Sequence, residues 1–250
     1  MKKRLFIILI AALMVLMLAA CGSSSQSSDQ EGAEAAESEG SAAAEDAVHP
    51  YAWLGLQDMP ECSYLDILST KHFIKESDMY IGGMSYVSKQ TNAEDGINTF
   101  KEDESSKRYS VGGRILSINK DNKTYMEEDM SDMAESAQEQ YTSAMENGTN
   151  LYGRSFTGTG SEAVPIYSEQ TDDKSEYEYY EYHYPELEES GDSYIERFYL
   201  KDGDVFAIYN KTTWGDTVIE STEIINKMSG DIPEGTFELP DVSDYEKLEL

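Results

Sequence analysis

Sulfur and imidazole are scarce in this chain of 250 residues: two cysteines, Cys21 and Cys62, and three histidines, His49, His72 and His183. Two thiols cannot build a disulfide framework, and neither has a CxxC partner. No two histidines stand at the HExxH spacing, and Cys62 with His72 would supply at most half a zinc site. The many serines include no GxSxG elbow and no SxxK. Gly158-Thr159-Gly160 lacks the third glycine and the strand–helix setting of a dinucleotide loop. The expectation is a chain with no catalytic residue, no metal site and no cofactor, and therefore not an enzyme. Cys62 is expected to pack in the core as a small apolar side chain.

Positive charge is the second shortage. Nineteen Lys and Arg stand against 49 Asp and Glu, for a formal net charge of −30. Nucleic acid and anionic headgroups are bound through Lys/Arg patches, so the balance argues against a nucleic-acid partner. The carboxylates are spread along the whole chain, which suits solubility outside a cell better than a dedicated acidic tail.

Long apolar runs are missing too, except for Leu5–Leu18. That run is short for a membrane span, which needs about 20 residues. With Lys2, Lys3 and Arg4 before it and small residues after it, it has the parts of a signal peptide. The closing Leu18-Ala19-Ala20-Cys21 resembles the lipobox of bacterial lipoproteins. The resemblance implies cleavage before Cys21, a diacylglyceryl group on its thiol, and placement at the outer face of a membrane. Two acyl chains anchor stably where one, at about 0.8 kcal/mol per methylene, binds reversibly.

From Gly22 to Ala47 there is no aromatic and no large aliphatic side chain: the segment is Ser, Ala, Glu, Gly, Gln and Asp. Such a segment cannot bury enough apolar surface to offset its conformational entropy. It reads as a disordered tether; a flexible coil of this length spans roughly 28 Å r.m.s.. The organisation expected is therefore signal peptide over 1–20, lipidated cysteine and tether over 21–47, and one folded domain over 48–250.

In the folded part, a short helix is expected after Asp58-Met59-Pro60, with Leu65 and Leu68 on one face. Strands are expected at 72–82, 84–90, 97–101, 107–118, 194–200, 205–209 and 217–225, rich in β-branched and aromatic residues. Gly82-Gly83, Gly112-Gly113, Asn119–Asn122 and the Asp202-Gly203 pair supply turns between them. Strands joined by turns this short make an antiparallel meander. The one clear helix carries Met130, Met133, Ala134, Ala137, Tyr141, Ala144 and Met145 at three- and four-residue spacing, and stops at Asn147-Gly148. A methionine-rich stripe either lines an adaptable apolar pocket or is simply core. In Glu176–Tyr184, alternation sends Tyr180, Tyr182 and Tyr184 one way and Tyr177 and Tyr179 the other, with a bulge expected where Tyr179 and Tyr180 adjoin. These tyrosines are an aromatic wall for a ligand or an amphipathic strand. Glu176, Glu178 and Glu181 nearby were weighed as a calcium site, but no DxDxDG-type loop accompanies them.

Two stretches resemble the LolA/LolB-like lipoprotein-carrier superfamily. The tail Gly230-Asp231-Ile232-Pro233-Glu234-Gly235-Thr236-Phe237-Glu238-Leu239-Pro240 is similar to the turn, Ile-Pro, Phe and Pro that close such domains. Phe198–Gly203 followed by Val205–Ile208 resembles their late hairpin. The resemblance implies an α+β fold, a single curved antiparallel sheet or half-open barrel with a helix across its apolar side, and a cavity for acyl chains. None of the carriers' specific functional residues can be transferred, and a shared fold need not mean a shared function. Two functions follow as expectations: a membrane-anchored, non-enzymatic binding module for a lipid or other apolar or amphipathic ligand, or a surface scaffold or sensor with no small ligand. The candidate ligand-binding residues are Met130, Met133, Ala137, Tyr141, Tyr180 and Tyr182.

Overall fold

Alternation of apolar and polar residues, the pattern of a half-buried strand, governs most of the fold. The computed structural model describes residues 48–185 and 191–249. The signal peptide, Cys21 and the tether expected over 1–47 lie outside the described residues.

The strands are β1 (His72–Ile81), β2 (Val87–Asp95), β3 (Asn98–Glu102), β4 (Ser106–Val111), β5 (Arg114–Asn119), β6 (Thr124–Asp129), β7 (Ser155–Ala163), β8 (Glu176–His183), β9 (Ser193–Lys201), β10 (Asp204–Trp214), β11 (Thr217–Ser229) and β12 (Glu246–Lys247). They form one sheet in the order β12-β6-β5-β4-β3-β2-β1-β11-β10-β9-β8-β7, so two meanders meet where β1 pairs with β11. The edge strands β12 and β7 do not pair with each other, and the sheet stays open. The fold is α+β, with every pairing antiparallel except the two-residue β12, which runs parallel to β6. At the β9–β10 turn, Asp202 and Gly203 both take positive φ, 55° and 83°, as a two-residue hairpin of this hand requires.

Helical segments stand before and between the strands among the described residues. A 3-10 turn at Ala52–Leu54 leads to α1 (Ser63–Ser69), which starts three residues beyond Pro60 rather than at it. The second helix, α2 (Ser131–Asn147), crosses from β6 to β7 and ends on Gly148 in the left-handed region, as expected. A five-residue α3 (Tyr167–Thr171) lies between β7 and β8. Among the described residues no helix is long and apolar enough to cross a membrane.

The pleat sorts residues onto two faces, and three apolar clusters cover them unequally. On the face that bears α1, Tyr182, Phe198, Leu200, Val205 and Ile208 from the second meander are buried under Tyr51, Trp53, Leu54, Leu56, Met59, Cys62, Tyr64 and Leu65, with Ala144 of α2. Each large apolar side chain fully buried there contributes about 1.5–3 kcal/mol. On the reverse face of the same meander, Tyr199, Ala207 and Tyr209 meet Val164 and Ile166 from the segment before α3. On the reverse face of the first meander, Ala93, Phe100, Tyr109, Leu116 and Ile118 are covered by Phe237, Leu239, Val242 and Tyr245 of the tail. The tail that suggested a family likeness thus serves as a lid on β2–β6.

One local expectation is corrected. No register shift occurs in β8 where Tyr179 adjoins Tyr180; the shift is in the partner strand, between Phe156 and Gly158. Adjacent tyrosines simply occupy opposite faces. Gly160 belongs to a strand and to no nucleotide loop: a Cβ there would come within 2.5 Å of the Tyr179 ring, which lies over it.

Candidate functional site

The α1 face is two surfaces side by side. Over β8–β11 it is sealed. Tyr182 and Phe198 are 0% and 1% exposed, and their rings meet edge to face at 5.9 Å. Polar groups sunk beside them are matched. Arg154 ion-pairs with Glu196 at 2.7 Å and donates to the Leu54 carbonyl at 2.8 Å, while the Tyr184 hydroxyl donates to the same Glu196. Lys75 meets Glu223 at 2.8 Å, and the Ser77 hydroxyl donates to the other Glu223 oxygen at 2.6 Å. Burial opposes the charge on Glu223, but Lys75 outweighs it and holds the carboxyl below the usual range.

Lys71 fills an aromatic cage. Its ammonium lies 4.7 Å from the centre of the Tyr141 ring and 5.8 Å from those of Trp53 and Tyr152, and pairs with Glu94 at 2.6 Å. Burial disfavours this charge, yet Glu94 and the ring oxygens more than compensate and raise its pKa. Such a cage would suit a cationic ligand, but the chain's own lysine occupies it.

Against this frame the sequence-derived candidates separate. Tyr141, Tyr180 and Tyr182 come together in or against one core cluster. Met130 is half-buried at the start of α2, where its N–H donates to the Gly113 carbonyl at 2.7 Å. Met133 is turned to solvent at 50% exposure and Met145 at 41%. The side of α2 facing inward is Ala134, Ala137, Tyr141 and Ala144, of which only Ala144 is fully buried. Two open grooves lie elsewhere on the surface. One of about 390 Å³ runs between His72, Asp95 and Ile232–Glu238; one of about 410 Å³ lies along the outer side of α2 beside Leu151.

Cys62 is buried in the core cluster, as expected. Of the weighed calcium ligands, Glu181 sits on the face opposite Glu176 and Glu178, tied to Arg197 at 2.6 Å. Among the described residues no group of three or more His, Cys, Asp or Glu is placed to hold a metal ion.

Over β2–β6 the α1 face is a different surface. None of the three clusters reaches it. Pairing aligns Lys75, Asn92, Lys101, Arg108, Ser117 and Met126 in one row across β1–β6. The neighbouring row runs Phe73, Glu94, Thr99, Ser110, Ile115 and Glu128. Most of these side chains are half-buried and polar, and Lys101 is exposed. Sequence reasoning missed this surface because its signal lies in register: Lys101 and Arg108 each look like an ordinary outward residue until the strands are paired.

No protein-family model matches the chain, and a search of curated proteins finds no significant match.

Proposed function

We propose that this is an extracytoplasmic lipoprotein, anchored by lipid on Cys21, whose folded domain is a non-enzymatic binding module for an amphipathic ligand. One observation carries the reading: the α1 face of an open antiparallel sheet carries an apolar cluster over one half and a row of polar, mostly half-buried side chains over the other. A sheet that needed only to be stable would present alternating charges there or cover the face as it does the reverse one. The order of elements, two meanders with a helix between β6 and β7, supports the likeness to the lipoprotein-carrier superfamily and, with it, a curved half-barrel. The module's acyl cavity would then be shallower than a carrier's, since the N-terminal segment fills the aromatic half.

A second reading, a surface scaffold or sensor with no small ligand, is favoured by the packing beneath α2, where the tyrosines proposed as ligand contacts are core. Native mass spectrometry of protein extracted from its membrane separates the two. A co-purified amphiphile is the expected result; a bare domain leaves the scaffold reading. For the anchor, Cys21→Ser should abolish incorporation of a fatty-acid analogue, and label persisting on that variant would contradict it.

A further inference from the structure

Four cations with little exposed side-chain surface, Lys71, Lys75, Arg154 and Arg197, all meet a carboxylate within 2.8 Å. Lys101 and Arg108 do not. They are directly opposite partners on β3 and β4 and share the α1 face, yet neither forms an ion pair among the described residues. Opposed residues of this kind have Cβ atoms about 4.5–5.5 Å apart, and like charges so placed destabilise a sheet. In a chain with 49 acidic residues against 19 basic ones, a carboxylate on the facing strand would remove the repulsion. The nearest charges do not. Glu223 and Asp103 attract Lys101 from farther off while Lys75 and Arg108 repel it, and Glu128 acts on Arg108. Arg108 has one long contact, a hydrogen bond to the Ser117 hydroxyl at 3.4 Å.

We propose that Lys101 and Arg108, with Asn92 and Ser117 on either side of them in the same row, form a binding site for the oxyanion head of a ligand, phosphate or carboxylate in class. A guanidinium offers a planar fork that matches two oxygens, and an ammonium beside it supplies a point charge. Asn92 and Ser117 add neutral donors that a bound anion's remaining oxygens can use. The net charge of −30 does not forbid this, because at physiological salt fields between exposed charges fade within about 8 Å. The site rests on the binding-module reading and specifies which end of an amphiphile is held, and where.

Calorimetry on the purified full chain tests it with four probes of equal tail: hexyl phosphate, hexanoate, hexyl glucoside and hexyltrimethylammonium, together with inorganic phosphate. Hexyl phosphate or hexanoate should bind at least tenfold more tightly than the uncharged and cationic probes. Lys101→Gln and Arg108→Gln should each weaken that binding about tenfold, leave the glucoside unchanged, and leave the melting temperature unchanged or higher. Phosphate binding as tightly as hexyl phosphate would assign the site to a free oxyanion; weaker phosphate binding assigns it to an amphiphile's head. Glucoside and ammonium probes binding as well as the anions, with no effect of either substitution, would overturn the oxyanion site and leave the binding module standing. Should no probe bind at all, the binding-module reading falls and the site with it. A fall in melting temperature for both Gln variants without loss of anion affinity would show that the two cations are structural.

Discussion

The two meanders of this sheet are built from similar strands and differ in what they bury. The second, β7–β11, has both faces covered: one by the N-terminal segment and Ala144, the other by Val164 and Ile166. The first, β1–β6, covers only its reverse face, with the C-terminal tail. The lesson is that stability and receptivity are separated along one sheet. Groups that must be buried are matched in the second half by Glu196 and Glu223. The first half keeps its charged row on a surface that water still reaches.

The largest expected break in this contrast is Phe198→Ala. The side chain is 1% exposed at the centre of the sealed face, and such truncations cost about 3–5 kcal/mol. Ser117→Ala, on the open half, should change stability by less than about 0.5 kcal/mol. Denaturant unfolding measures both.

The alkaline limb of stability sharpens the contrast next. Burial, aided by nearby carboxylates, raises Tyr64 to about 12 and pushes Tyr182, Tyr194, Tyr199 and Tyr209 higher still. Tyr141 is also pushed up to about 12. A group whose folded pKa is raised contributes stability that is full below its unfolded value, near 10 for tyrosine, and is lost as pH rises through the folded value. Stability should therefore fall steeply from pH 10 upward. Tyrosinate absorbance should rise together with loss of the fold, since most of these rings lie in or against the second meander. Smooth titration of all 18 tyrosines near pH 10 with the fold intact would contradict this.

Tyr182→Phe is the smallest expected effect. Its hydroxyl is the one buried side-chain polar atom without a hydrogen-bond partner among the described residues. Removing an unsatisfied group costs nothing and recovers part of its desolvation penalty. The variant should melt unchanged or slightly higher, by up to about 1 kcal/mol; a clear drop would mean that the hydroxyl is used.

Much of the strand pattern was legible because β1, β9, β10 and β11 alternate or cluster β-branched and aromatic residues between turn signals. β7 was not: Ser155–Ala163 is small and polar, and its extended form comes from pairing with the tyrosine strand and from Gly160 yielding to Tyr179. The helix at 131–147 was legible in existence and in its Gly148 stop, but not in its orientation. Met130, Met133 and Met145 flank the Ala134–Ala137–Tyr141–Ala144 stripe so closely that spacing alone cannot say which side turns inward. The candidate anion site depends on the register of three strand pairs, which is non-local information. The resemblance to a lipobox rests on four adjacent residues, 18–21, which lie outside the described residues.

The central claim is that a cation on the sealed half is held by its partner while one on the open half is not needed for the fold. Replacing the same residue type on each side tests it most directly. Arg154→Met leaves Glu196 buried and unpaired, a change that costs about 3–5 kcal/mol, or roughly 6–20 °C at this size. Arg108→Met removes a repelling charge and should leave the melting temperature unchanged or raise it. Thermal unfolding of the two variants beside the parent chain gives the answer. A large drop for Arg154→Met with none for Arg108→Met is the predicted result, and equal drops for both would contradict the account.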